Sequence, residues 1–175
     1  MKPILMMGTA AFSPFRLDAL RAALGAFDPA LNAASIEARW VYAIQPEGDA
    51  GVAPEVLEQA ALLLNVPANA RPLADGNAQG AFYVTPRKGT ISPWSTKATD
   101  IFRNCGLAGI ARVERGIRYE IGAKLPPAAY AALYDRMTEG VYECLDDLFD
   151  CPPPKPGVTF DVLGRGVEAI REANV

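Results

Sequence analysis

Between Val84 and Leu107 the chain gathers, in one loop and the start of one helix, the residue types that recognise anions. Arg87, Lys88 and Lys97 bring positive charge, Thr90, Ser92, Ser95, Thr96 and Thr99 bring hydroxyls, and Asp100 is the one acid that opposes them. Ser92 is a favourable N-cap, Pro93 suits the first helical position because its missing N–H is orphaned there anyway, and Ser95 offers a second cap. A helix opening at Ser92 turns its free N–H groups and positive dipole end toward the cationic loop, which suits phosphate or carboxylate groups. Trp94 adds an aromatic face that would stack on a base, seal an interface or pack beneath the loop; the last two readings rank above the first. A well-capped helix beside a solvated basic loop explains the same residues with less, and spacing alone favours it. No glycine-rich nucleotide loop is present.

Composition narrows the remaining chemistry. Histidine is absent, which removes Ser–His and Cys–His nucleophile pairs, histidine zinc sites and the common near-neutral general base. The three cysteines, Cys105, Cys144 and Cys151, lack CxxC spacing and read as free thiols of a reducing compartment rather than a disulfide frame. Cys105 and Cys144 are expected to pack inside, and Cys151 to sit in a linker. Glu139, Glu143, Asp146, Asp147 and Asp150 are not spaced as a calcium loop and read as a solvated acidic face. No catalytic, metal or cofactor-binding residue is assigned within the chain. A net charge of -3 and a pI near 5.0 argue against general nucleic-acid binding. The apolar Ile4–Met7 run is far too short to span a bilayer and reads as a strand, so a soluble, cytoplasmic protein without membrane contact is expected.

The elements that must position the loop follow from periodicity. With 175 residues, half of them apolar, the chain can bury a real core. Strands are predicted over Ile4–Met7 and Ile36–Ile44, from Ala81, and over Ile110–Ile121; helices over Ser13–Gly25, Pro54–Asn65, Ser92–Cys105 and Pro126–Phe149. The Ser92 helix should bury Ala98, Ile101, Phe102 and Cys105, then end where Gly106 turns left-handed and Leu107 packs back. The last helix carries a stripe of Tyr130, Leu133, Met137, Val141, Cys144, Leu145 and Leu148. Its acidic C-terminal end runs against the helix dipole. Ser13-Pro14-Phe15 echoes Ser92-Pro93-Trp94, so each half reads β-α-β-α about a loop at residues 67–80. The expected fold is α+β, with an antiparallel sheet packed by helices and pseudo-twofold halves. Residues 1–150 form the domain and 151–158 a proline-stiffened linker. A further amphipathic segment spans residues 159–175, marked by Val162, Val167, Ile170 and Ala173.

Val84-Thr85-Pro86-Arg87, Gly89-Thr90-Ile91-Ser92-Pro93-Trp94-Ser95, Lys97-Ala98-Thr99-Asp100-Ile101 and Asn104-Cys105-Gly106-Leu107 closely resemble one family's signature block. That family is the N-terminal domain of the large, single-chain bacterial phosphoribosylformylglycinamidine synthase, or formylglycinamide ribonucleotide amidotransferase. Arg112-Val113-Glu114-Arg115-Gly116 resembles its next strand, Tyr134 to Glu139 its following helix, and Val162-Leu163-Gly164-Arg165-Gly166 the start of its linker domain. Lys88 stands where the family pattern has a proline. The resemblance implies a fold similar to a dimer of the small S subunit of the split enzyme, and a chain that is a piece of a longer protein. It implies a ligase of purine biosynthesis that uses ATP, magnesium and glutamine to convert formylglycinamide ribonucleotide to its amidine. Ammonia would come from a glutaminase domain and activation from a synthetase domain, so this chain alone would be inactive. Its implied role is to dock on those domains and help form the ammonia path, with Arg87, Lys88, Ser92, Trp94, Ser95, Lys97, Thr99 and Asp100 facing substrate or interface. The competing reading is a stand-alone, self-associating module that binds a phosphorylated small molecule.

Overall fold

In the computed structural model, which describes residues 2–49, 51–68, 81–151 and 159–173, the apolar runs form a five-stranded antiparallel sheet. Its strands are β1 (Ile4–Ala10), β2 (Ile36–Pro46), β3 (Ala81–Pro86), β4 (Ile110–Ile121) and β5 (Glu139–Tyr142), in the order β1-β2-β4-β3-β5. The central ladder runs β2 against β4, from Ile36 opposite Ile121 to Pro46 opposite Ile110. Helices α1 (Pro14–Gly25), α2 (Pro54–Leu63) and α3 (Pro93–Asn104) connect the strands. This is the predicted α+β sheet with packed helices. The halves correspond through β1-α1-β2 and β3-α3-β4 and then diverge: α2 follows β2, whereas after β4 the chain makes a 3-10 turn and adds β5 outside β3.

Strand alternation sends side chains to two faces. On one face Ile36, Ala38, Phe82, Val84, Tyr119 and Ile121 pack with Leu24 of α1, while Met6, Tyr42, Ile44 and Val113 pack with Ala60 of α2 and Phe102 of α3. On the other, Val41, Ala43 and Tyr83 lie under Leu145 and Leu148. Val41 and Ala43, on the outer face of β2, are thereby buried by residues 142–149 rather than solvated. A register shift between Gln45 and Pro46 brings Ile110 to the same core as Val113, not to the face of Arg112 where unbroken alternation would put it.

The helix expected over Pro126–Phe149 does not form. Residues Pro127–Ala132 make a 3-10 turn, β5 follows, and turns continue to residue 149. Its apparent stripe feeds two different cores, Tyr130, Leu133 and Val141 on the helix-covered face and Leu145 and Leu148 on the other, while Met137 is exposed. The clash of acids with a helix dipole dissolves with the helix: Asp146 pairs with Lys2 at 2.8 Å and Asp147 with Lys88.

Cys105 and Cys144 are exposed rather than packed, and Ile101 is also largely exposed. The buried stripe of α3 is Trp94, Ser95, Ala98 and Phe102, so Ile101 and Cys105 fall beside it. Residues 69–80 and 152–158, assigned above to the joining loop and the linker, lie outside the described residues. The final segment forms two short helices, α4 (Val162–Arg165) and α5 (Val167–Ala173), divided at Gly166 with φ 58°. Val162, Val167 and Ile170 are exposed there. Among the described residues no helix is long and apolar enough to cross a membrane.

Candidate functional site

Helix α3 begins and ends as its sequence dictates. Ser92 Oγ accepts from the Ser95 N–H at 2.9 Å and Pro93 takes the first turn. At the other end Gly106 adopts φ 76°, with its N–H donating to the Arg103 carbonyl and the Leu107 N–H to the Phe102 carbonyl, the two bonds of a Schellman cap. Ser95 is not a second cap. Fully buried, it donates to the Val113 carbonyl at 2.6 Å and accepts from Arg112 Nε at 3.0 Å, which fastens α3 to β4. Thr99 adds to this by accepting from the Val113 N–H at 3.2 Å.

The anion that the N-terminus of α3 attracts is the chain's own. Glu114, 1% exposed, accepts from the Ser92 hydroxyl at 2.7 Å, the Ser92 N–H at 3.3 Å and the Arg115 N–H at 2.9 Å. Arg112 closes the network with an ion pair to Glu114 at 2.9 Å and a hydrogen bond to the Thr90 carbonyl. A buried carboxylate is sustained by such a set of donors together with a helix N-terminus.

The basic loop is shaped by the stretch after the 3-10 turn. The Arg87 N–H donates to the Thr138 carbonyl at 3.2 Å and its guanidinium to the Arg136 carbonyl. The Lys88 N–H donates to the Tyr142 hydroxyl at 3.2 Å, and its ammonium sits 4.5 Å over the Tyr142 ring while bonding Asp147. That bond from Lys88 holds the Asp147 carboxyl below its ordinary range. Gly89, at φ 76°, donates to the Leu148 carbonyl at 3.1 Å. The polar groups of Lys88, Ser92, Ser95 and Thr99 are therefore engaged within the fold, and Asp100 pairs with Arg103 at 3.1 Å. Arg87 and Lys97 both reach the exposed surface, and neither makes an ion pair among the described residues. The loop and the first turn of α3 thus form a rigid base that presents two cations outward.

Trp94 packs rather than projecting. Its ring stacks on Tyr42 with centroids 5.9 Å apart, and the Arg115 guanidinium carbon lies 4.9 Å from its centroid and 4.2 Å from that of Trp40. Burial raises the Tyr42 hydroxyl above its ordinary pKa, partly offset by Arg115. On the far side of Trp40 a cleft of about 660 Å³ opens between α1 and the turn after β4, lined by Phe12, Arg16, Trp40, Tyr119, Asp135 and Glu139 among others. Burial, reinforced by Glu139 and opposed by Arg16, pushes the Tyr119 hydroxyl up to about 12.

Sequence reasoning found the loop and missed its support: Glu114, Arg112, Arg115 and Trp40. A glutamate alternating with arginines on a strand reads as solvated face, and the only local sign otherwise was Ser95, a hydroxyl inside an apolar stripe. Over residues 39–150, well over half of the chain, the sequence matches the family described as formylglycinamide ribonucleotide amidotransferase N-terminal.

Proposed function

The chain belongs to the formylglycinamide ribonucleotide amidotransferase N-terminal family, and from that premise we propose that it docks on the rest of the enzyme through the surface around Arg87 and Lys97. The family places it as the N-terminal domain of an enzyme of purine biosynthesis, whose other domains are its partners. In our reading those domains carry the glutaminase and synthetase chemistry, with ATP and magnesium, in the cytoplasm. Lys88, Ser92, Ser95, Thr99 and Asp100 serve by holding the loop and α3 in shape. Arg87 and Lys97 meet carboxylate or phosphate groups of the neighbouring domain or of substrate at its active-site edge, close to the ammonia path.

One observation carries this reading: Arg87 on the braced loop and Lys97 on α3 both stand exposed, without a carboxylate among the described residues to neutralise them. A base prepared in this way loses little conformational freedom on association. The test is Arg87→Ala with Lys97→Ala in the full-length enzyme. Glutamine-coupled turnover is expected to fall by about tenfold or more, about 1.4 kcal/mol of lost stabilisation, with weaker interdomain protection in hydrogen exchange. Unchanged substrate affinity, coupled turnover and protection would remove the docking role.

A further inference from the structure

We propose that Arg115 is the receptor of a second, separate anion site, which takes the paired oxygens of a small molecule's carboxylate or phosphate group. The arginines around it are spent on the fold. Arg112 holds Glu114, Arg118 holds Glu120, Arg21 holds Asp18 and Arg103 holds Asp100. Arg115 is half-buried at the middle of the helix-covered face, opposite Tyr42 in the ladder, and among the described residues no protein oxygen accepts from its guanidinium. Its contacts are the two indoles, at 4.2 Å and 4.9 Å from the ring centroids.

Cation–π contact stabilises the charge and fixes the position of the group without using its fork of N–H donors. A positioned guanidinium with its fork unspent matches two oxygens of one anion, in the bidentate geometry that a lysine cannot reproduce. Glu114, next to it in the chain, is already committed to Ser92 and Arg112 on the opposite side of the strand. The cleft on the far side of Trp40 is a separate space, with Arg16 resting on the Phe12 ring there, so the Arg115 site is defined by the guanidinium and the two indoles alone.

The chain contains two tryptophans, and both touch Arg115, so selectively excited tryptophan emission reads this site. The experiment titrates the purified chain with sodium phosphate and, separately, sodium acetate, with ionic strength held constant by sodium chloride. A saturable change in emission is expected with at least one of them. Saturation by phosphate alone assigns a phosphate ester, and by acetate alone a carboxylate. Arg115→Lys keeps the charge and loses the fork, and is expected to raise the half-saturation concentration by about tenfold or more. In the unaltered chain the Arg115 side-chain N–H resonance should move along the same titration, which keeps the test valid if the variant folds poorly. No saturable response to either anion, a stationary Arg115 resonance, or a folded Arg115→Lys chain that responds as the parent does would overturn the proposal. The chain alone carries this test, whereas docking is read in the full enzyme, so each fails independently of the other.

Discussion

Removing the Glu114 carboxylate would strip the Ser92 hydroxyl, the Ser92 and Arg115 N–H groups and the Arg112 guanidinium of their shared acceptor. Arg112 is itself mostly buried, its side chain 15% exposed, so it would be left as an unpaired charge. Glu114→Ala is therefore expected to cost about 3–5 kcal/mol, read as a lower urea midpoint, with Glu114→Gln restoring part of the loss. An undisturbed midpoint would mean that the network contributes nothing. Tyr119 makes a prediction in the alkaline range. Its folded pKa of about 12 exceeds the ordinary value near 10, so the folded chain keeps its proton where the unfolded chain loses it. Stability should be independent of this group below about pH 10 and fall as pH rises from about 10 to 12. Tyr119→Phe should flatten that limb, whereas an unchanged slope would assign the loss to other groups. Glu114 did not announce itself in sequence. A buried glutamate between arginines looks like an exposed one, because its burial depends on Ser92, far away in the chain.

At the scale of elements, β3 and β4 are bound by a close approach at Gly116. A Cβ built there would lie 2.7 Å from the Val84 carbonyl oxygen and 2.4 Å from Thr85 Cγ2. The first of these is backbone, so the strands must separate to make room. Gly116→Ala is expected to lose about 1–3 kcal/mol and to speed amide exchange in β3 more than in α2; equal protection in both would contradict this. Elements whose signals are local were legible: Ser92-Pro93 at the start of α3 and Gly106-Leu107 at its end are read from neighbouring residues, and the same holds for Ser13-Pro14 at α1. The region after Pro126 was not legible, because periodic burial does not say which body does the burying. Tyr130 and Leu133 are covered on one face of the sheet and Leu145 and Leu148 on the other, yet their spacing in the chain imitates a single helix face.

Considered whole, the molecule is three-layered, since residues 142–149 close the second face of the sheet. Leu145, 1% exposed, is the centre of that closure. Leu145→Ala should destabilise by about 2–5 kcal/mol and, by loosening the cover over Val41, Ala43 and Tyr83, increase binding of a hydrophobic dye. A variant with parental midpoint and no dye binding would show that the cover is dispensable. The same segment braces the basic loop through Asp147 and the Leu148 carbonyl, so this loss should reach Arg87 as well. Strand order lay beyond the sequence because it depends on partners distant in the chain. Ile36 must find Ile121, and the longest ladder joins the two halves rather than completing either one. During synthesis, then, β2 emerges from the ribosome long before its central neighbour exists, with Ile44 and Val41 waiting uncovered. Protection by a chaperone in that interval, or a pause in translation before β4, would govern how much of the newborn chain reaches its native state.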